Sequence, residues 1–183
     1  MKKLLIIAGL LGVGSGVFAQ GTLVFANLAS GVNAAVTNAA GGRIHAGNYV
    51  ADLFFSTSTS ATTDSLTPAG FNVSFSTTTA GGGGYFLGGT RTVTGASGLI
   101  EAQVRVWDSS TFATFDLAKA SQGGEWGVSA PVIVNLAIPP APAPPMAGLT
   151  GFELTMNGVV PEPSTFALAG LGAAALLVFR RRK

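Results

Sequence analysis

In LIEAQVRVWD, residues 99–108, the apolar Ile100, Ala102, Val104 and Val106 alternate with Glu101, Gln103 and Arg105. A helix repeats its apolar positions every three or four residues, so a period of two demands a strand with one face on a core. The same alternation returns along the chain. Leu23 and Phe25 share a face in GTLVFAN, and Tyr49, Ala51, Leu53 and Phe55 oppose Val50, Asp52 and Phe54 in NYVADLFFS. Phe71, Val73 and Phe75 oppose Asn72, Ser74 and Ser76 in FNVSFS, while VIVNLAI and GFELTMN complete the set. Only residues 110–120 have helical spacing, with Phe112, Phe115 and Lys119 on one side. Many short strands between glycine-rich turns predict an all-β fold, a single β-sandwich of jelly-roll or immunoglobulin-like type over residues 20–158.

The connections support one continuous domain. PPAPAPP (139–145) reads as an extended polyproline crossover or edge linker, and a strand-like stretch follows it. STSTSATTDS (56–65) and STTTAGGGG (76–84) read as exposed loops that can also accept O-linked sugars. Asn72-Val73-Ser74 matches a glycosylation sequon but falls within an expected strand.

Catalytic groups are scarce. The chain has one histidine, His45, and no cysteine, which excludes a Cys-His pair, a multi-histidine metal site and any disulfide. His45 lies in the glycine-flanked stretch GGRIHAGN, where a solvent-facing imidazole is expected. There is no G-x-S-x-G elbow, and the glycines at 81–84 lack the lysine and helix of a phosphate loop. Nothing in their spacing sets Glu101 against Asp108, and no D-x-D-x-D pattern supports calcium at Asp108. A non-enzymatic protein without cofactor or metal is expected. Trp107 follows the phase of Glu101, Gln103 and Arg105, which directs it outward, where an indole can stack on a sugar. Its other expected place is beneath residues 110–120, at the end of the strand, and Trp126 in GGEWG presents the same pair of alternatives.

The two ends follow different rules. MKKLLIIAGLLGVGSGVFAQ has Lys2 and Lys3, an apolar run from Leu4 to Val13, and small residues before an A-x-A-like site between Ala19 and Gln20. That order predicts a signal peptide over residues 1–19, cut by signal peptidase, with an uncleaved anchor as the alternative. No cysteine follows for acylation, so a lipoprotein is excluded. The terminal segments also carry most of the cations. Between Gln20 and Val160 stand four Lys or Arg and seven Asp or Glu, a net charge of −3, although the whole chain has a pI near 9.3. With no basic patch to neutralise phosphates, nucleic acid is not an expected partner.

At the other end, Pro161 and Pro163 prevent regular structure, and Ser164 or Thr165 can cap a helix over residues 165–179. Such a helix spans about 22 Å, short of a hydrocarbon core of ~30 Å, so it predicts a marginal membrane helix. Gly170 and Ala174 form a small-xxx-small face, or simply lower its hydrophobicity. Arg180, Arg181, Arg182 and Lys183 hold the tail in the cytoplasm and the domain outside. The sequence V-P-E-P-S-T, an apolar helix and R-R-R-K resembles the PEP-CTERM sorting signal of Gram-negative bacteria over residues 159–183. That resemblance implies that Pro161, Glu162 and Pro163 are recognised by an exosortase, a membrane-embedded cysteine protease-transpeptidase, with the helix and basic tail orienting the substrate. It also implies an exported, often glycosylated protein associated with exopolysaccharide and biofilm matrix. GGTRTVTG followed by LIEAQVRVWD is similar to ectodomains attached to such signals, which implies no activity. The expected protein is tethered first to the inner membrane and then resides at the cell surface or in the matrix. A carbohydrate-binding module or adhesin using Trp107 is the alternative.

Overall fold

The computed structural model describes residues 20–45, 47–76 and 83–158. The expected signal peptide with Ala19, the Pro161-Glu162-Pro163 motif, the 165–179 helix and the 180–183 tail lie outside the described residues.

Among the described residues the regular secondary structure is nearly all strand. The first strands are β1 (Gly21–Ala26), β2 (Leu28–Ala29), β3 (Val32–Asn33), β4 (Val36–Thr37) and β5 (Tyr49–Ser56). A 3₁₀ turn (Thr63–Ser65) precedes β6 (Thr67–Pro68), β7 (Val73–Ser74), β8 (Leu87–Val93) and β9 (Gly98–Asp108). One short helix, α1 (Phe115–Ala120), leads to β10 (Glu125–Val128), β11 (Val132–Leu136), β12 (Phe152–Glu153) and β13 (Thr155–Met156).

The stretch with the clearest alternation becomes the spine of the largest sheet. β9 pairs antiparallel with β5 from Tyr49↔Asp108 to Ser56↔Glu101. Its other edge is shared, β11 taking the first half and β10 the second. Ile100, Ala102, Val104 and Val106 are fully buried in one cluster with Leu23 and Phe25 of β1, Leu53 of β5 and Val134 of β11. Each large aliphatic side chain so buried contributes about 2 kcal/mol. β1 joins this core through its pairing with β8 and, on its other edge, through two backbone hydrogen bonds between Thr22 and Ala137. The Val24 N–H donates to the Pro144 carbonyl at 2.8 Å, so the proline-rich segment runs back along β1 inside the domain.

Two expectations need correction. Glu101, Gln103 and Arg105 do not face water; both sides of β9 are buried. The reason is the loop at 56–65: its residues are mostly exposed, as expected, but its backbone covers that side. Glu101 Oε2 accepts the Ala61 N–H at 3.0 Å, and the Thr63 carbonyl accepts an N–H of Arg105. Gln103 Nε2 donates to Ser129 O at 3.0 Å, so the polar atoms of this face stay bonded out of water. GFELTMN, expected as one strand, is divided between two partners: β12 runs parallel to β4, and β13 pairs with β10. Between them Leu154 enters the core and donates its N–H to Thr37 O at 2.8 Å.

Asn27 stitches the opposite end of the core. Fully buried, it donates from Nδ2 to the carbonyls of Ala34 (2.7 Å) and Gly84 (2.8 Å), and its Oδ1 accepts the Phe86 N–H at 2.8 Å. Gly84 has φ +81°, and a Cβ there would lie 2.6 Å from the Val36 carbonyl. Its glycine identity belongs to this stitch.

Candidate functional site

α1 forms where local chemistry permits a helix start. The Thr114 Oγ1 accepts the Leu117 N–H at 3.3 Å, with Asp116 in the first turn and Lys119 in the last, which suits the helix dipole. Phe115 and Ala118 are buried beneath it. Its far end is held by Asn157, whose Nδ2 lies within bonding distance of the carbonyls of Ala118 (3.2 Å), Lys119 (2.7 Å) and Ser121 (2.9 Å). Gly124 allows the closest approach there, since a Cβ would sit 2.0 Å from Ala118 O.

α1 lies across the outer face of β9 and decides the fate of Trp107. The residue is 4% exposed, its Nε1–H donates to Phe112 O at 3.1 Å, and its ring meets Phe115 edge-on at 6.3 Å. An indole covered in this way has no face to offer a sugar. The expectation of Trp107 as a glycan contact is therefore corrected, and the packed alternative describes it. Trp126 is half-buried, edge-on to Phe115 at 5.7 Å, with Nε1 donating to Asn157 Oδ1 at 3.1 Å.

Beside Trp107 opens a cleft of about 440 Å³, between α1, the 3₁₀ turn and the loop after β6. Arg105 lies within it at 8% exposure. Its Nε donates to Gln103 Oε1 at 3.0 Å, one Nη donates to Thr63 O, and its guanidinium carbon stands 4.0 Å from the Phe54 ring and 5.0 Å from Phe115. Burial lowers its pKa from the ordinary value, while Asp116 and Asp64 act the other way. Asp52 is directly opposite Arg105 in the β5–β9 register, yet its carboxylate turns elsewhere. Oδ1 accepts the N–H groups of Leu53 (2.8 Å) and Phe71 (2.6 Å), and Oδ2 accepts that of Gly70 (3.1 Å). Asp64, Asp116 and Lys119 stand at the rim, where Lys119 Nζ and Asp64 Oδ1 are 4.0 Å apart.

Desolvation raises the Asp52 pKa from its ordinary 3.8, against the lowering effect of the backbone N–H groups. The fold favours the protonated carboxyl, so this group's stabilisation is fully present below pH 3.8 and is lost as pH rises through the folded-state value. A carboxyl ¹³C titration is expected to give Asp52 a midpoint above 3.8. A midpoint below it would mean that the N–H groups outweigh burial.

The other residues considered from sequence are scattered. His45 is exposed in its turn. Glu101 is engaged by Ala61, and Asp108 accepts from Ser110 N (2.9 Å) and Thr111 Oγ1 (3.1 Å), so the two carboxylates serve separate turns. Among the described residues, no group of three His, Cys, Asp or Glu is placed to hold a metal ion. Sequence reasoning missed Arg105 and Asp52 as a site. The available signal was Asp52 as the one charge in β5, with Arg105 on the polar phase of β9.

The described chain ends beside α1. Asn157 also donates its N–H to Gly124 O (3.0 Å) and accepts the Gly123 N–H (2.8 Å), so it is fixed by both backbone and side chain. Three residues separate it from Pro161. Among the described residues no helix is long and apolar enough to cross a membrane, and residues 165–179 lie outside them. A family model of the PEP-CTERM protein-sorting motif matches residues 159–183. No curated protein and no solved structure matches the chain. The chain thus carries a PEP-CTERM sorting motif, which supports an exported protein sorted through the membrane by exosortase.

Proposed function

We propose that this is a non-catalytic structural protein of the cell surface or extracellular matrix, in which a β-sandwich is the functional unit and residues 159–183 are its sorting device. The observation that carries the reading is the sorting motif itself, beginning two residues after Asn157 fixes the end of the folded domain. Signal peptidase would remove residues 1–19, the 165–179 helix would tether the precursor, and exosortase would act at Pro161-Glu162-Pro163. Arg180 to Lys183 would hold the tail on the cytoplasmic side.

The sandwich reading is supported by one buried cluster that joins β1 and β8 to β5, β9 and β11. The non-catalytic reading is supported by the exposed His45 and by the engagement of Asp52, Glu101 and Asp108 with backbone N–H groups. The proposed environment is exopolysaccharide, consistent with a domain that is weakly acidic and rich in Ser, Thr and Gly. An adhesin built on Trp107 loses its platform, because that ring is covered.

The test is made in a host that exports the chain. With residues 159–183 intact, the protein is expected in the surface or matrix fraction; without them it is expected as a soluble periplasmic protein. Equal distribution of the two forms would refute the sorting role.

A further inference from the structure

We propose that the cleft containing Arg105 binds a small monocarboxylate that carries hydroxyl or ammonium donors beside its anionic end. This site is independent of sorting and of Trp107 stacking.

Arg105 is a buried cation whose acidic neighbours in the cleft, Asp64 and Asp116, make no ion pair with it. A buried guanidinium is costly unless it is paired and bonded. Arg105 is more than nine-tenths buried, and among the described residues no carboxylate forms an ion pair with it. Asp52, placed opposite it by the strand register, has given its oxygens to Leu53, Gly70 and Phe71. A guanidinium has five N–H donors, and Gln103 and Thr63 occupy two of the five. The remaining donors belong to a group that lines an open cleft rather than a sealed core. A planar carboxylate matches such a fork.

The rim narrows the class. Asp64 and Asp116 stand around the cleft with Lys119, and Lys119 is already drawn toward Asp64. Two carboxylates near the entrance disfavour a dianion such as phosphate, but they accept hydrogen bonds from hydroxyl or ammonium groups. The cleft of about 440 Å³ falls within the range of small-ligand sites. Both a sugar acid and an α-amino acid have this chemistry.

Isothermal titration of the full chain in detergent, with glucuronate, serine, glucose and phosphate as probes, tests the proposal. Glucuronate, serine or both are expected to bind, with glucose and phosphate weaker by about tenfold or more. Binding of glucuronate alone assigns a sugar acid, and binding of serine alone assigns an amino acid. Arg105→Lys keeps the charge but loses the fork, and is expected to weaken the bound carboxylate by about tenfold. Should that variant fail to fold, Asp64→Asn combined with Asp116→Asn decides instead. Removing the rim charges is expected to raise phosphate affinity about tenfold, and an unchanged phosphate affinity overturns the proposal. Failure of both carboxylates to bind at millimolar concentration overturns it as well. So does phosphate binding as tightly as they do, or carboxylate binding that a folded Arg105→Lys variant leaves intact.

Discussion

Replacing Asn27 by aspartate is expected to remove about 4 kcal/mol of stability and to lower the melting temperature by about 15 °C. The two side chains are nearly isosteric, so the effect isolates chemistry from volume. Asn27 presents two donors to the carbonyls of Ala34 and Gly84 and one acceptor to the Phe86 N–H, all inside the core. Aspartate keeps the acceptor but turns a carboxylate oxygen toward two carbonyl oxygens. It must then ionise in a dry site without a cation or take up a proton and satisfy only one of the two carbonyls.

Asn27→Ala is expected to cost somewhat less, about 3 kcal/mol, because it orphans the Phe86 N–H without adding charge. Asn38→Ala provides the control. Asn38 Oδ1 also accepts two backbone N–H groups, from Ala40 and Gly42, but these bonds are exposed, and water replaces them at a cost of about 1 kcal/mol or less. Thermal denaturation followed by far-UV circular dichroism ranks the three. Equal melting temperatures for the Asn27→Asp and Asn38→Ala variants would show that the Asn27 stitch is not what holds these segments to the core.

The parts of this fold that could be read in sequence are those that a local period determines. The inward faces of β1, β5, β9 and β11 follow from alternation within each stretch, and residues such as Leu23, Leu53, Val104 and Val134 lie where alternation places them. The outer face of β9 could not be read in this way. Whether Glu101 and Arg105 meet water depends on contacts with Ala61 and Thr63, forty and forty-two residues away, and no period records where a loop lands. Trp107 illustrates the same limit, since its phase within β9 is regular and it is buried by distant residues, Phe115 and Ala118 of α1 with Phe54 and Leu66. The cleft draws on β5, the 3₁₀ turn, β9 and α1, so its lining becomes contiguous only after folding. The sorting segment is the opposite case. Its spacer, apolar run and basic end act in linear order, and residues 159–183 are both the stretch legible in sequence and the stretch matched by the family model.

In its native host the mature protein is expected to end at or near Pro161-Glu162-Pro163 and to lack residues from about Ser164 onward. The fold brings this site close to a rigid body, because Asn157 is held by Gly123, Gly124 and the last carbonyls of α1. Four residue steps at ~3.3 Å each put Pro161 within about 13 Å of that anchor. Pro161 and Pro163 disfavour helix there, which would leave the proposed spacer in the extended form that a protease binds. The helix proposed over residues 165–179 would span about 22 Å, a poor permanent anchor for a core of ~30 Å but enough to hold a substrate at a membrane enzyme. Replacing Arg180, Arg181 and Arg182 with neutral residues is expected to reduce the processed fraction about tenfold, because orientation by positive charge is weakened. Glu162→Ala is expected to block processing with the topology intact, which separates recognition from orientation. Mass spectrometry of the C-terminal peptide decides the matter. A surface-exposed protein that still ends Phe179 to Lys183 would make the tail a permanent anchor and end the case for cleavage at the motif.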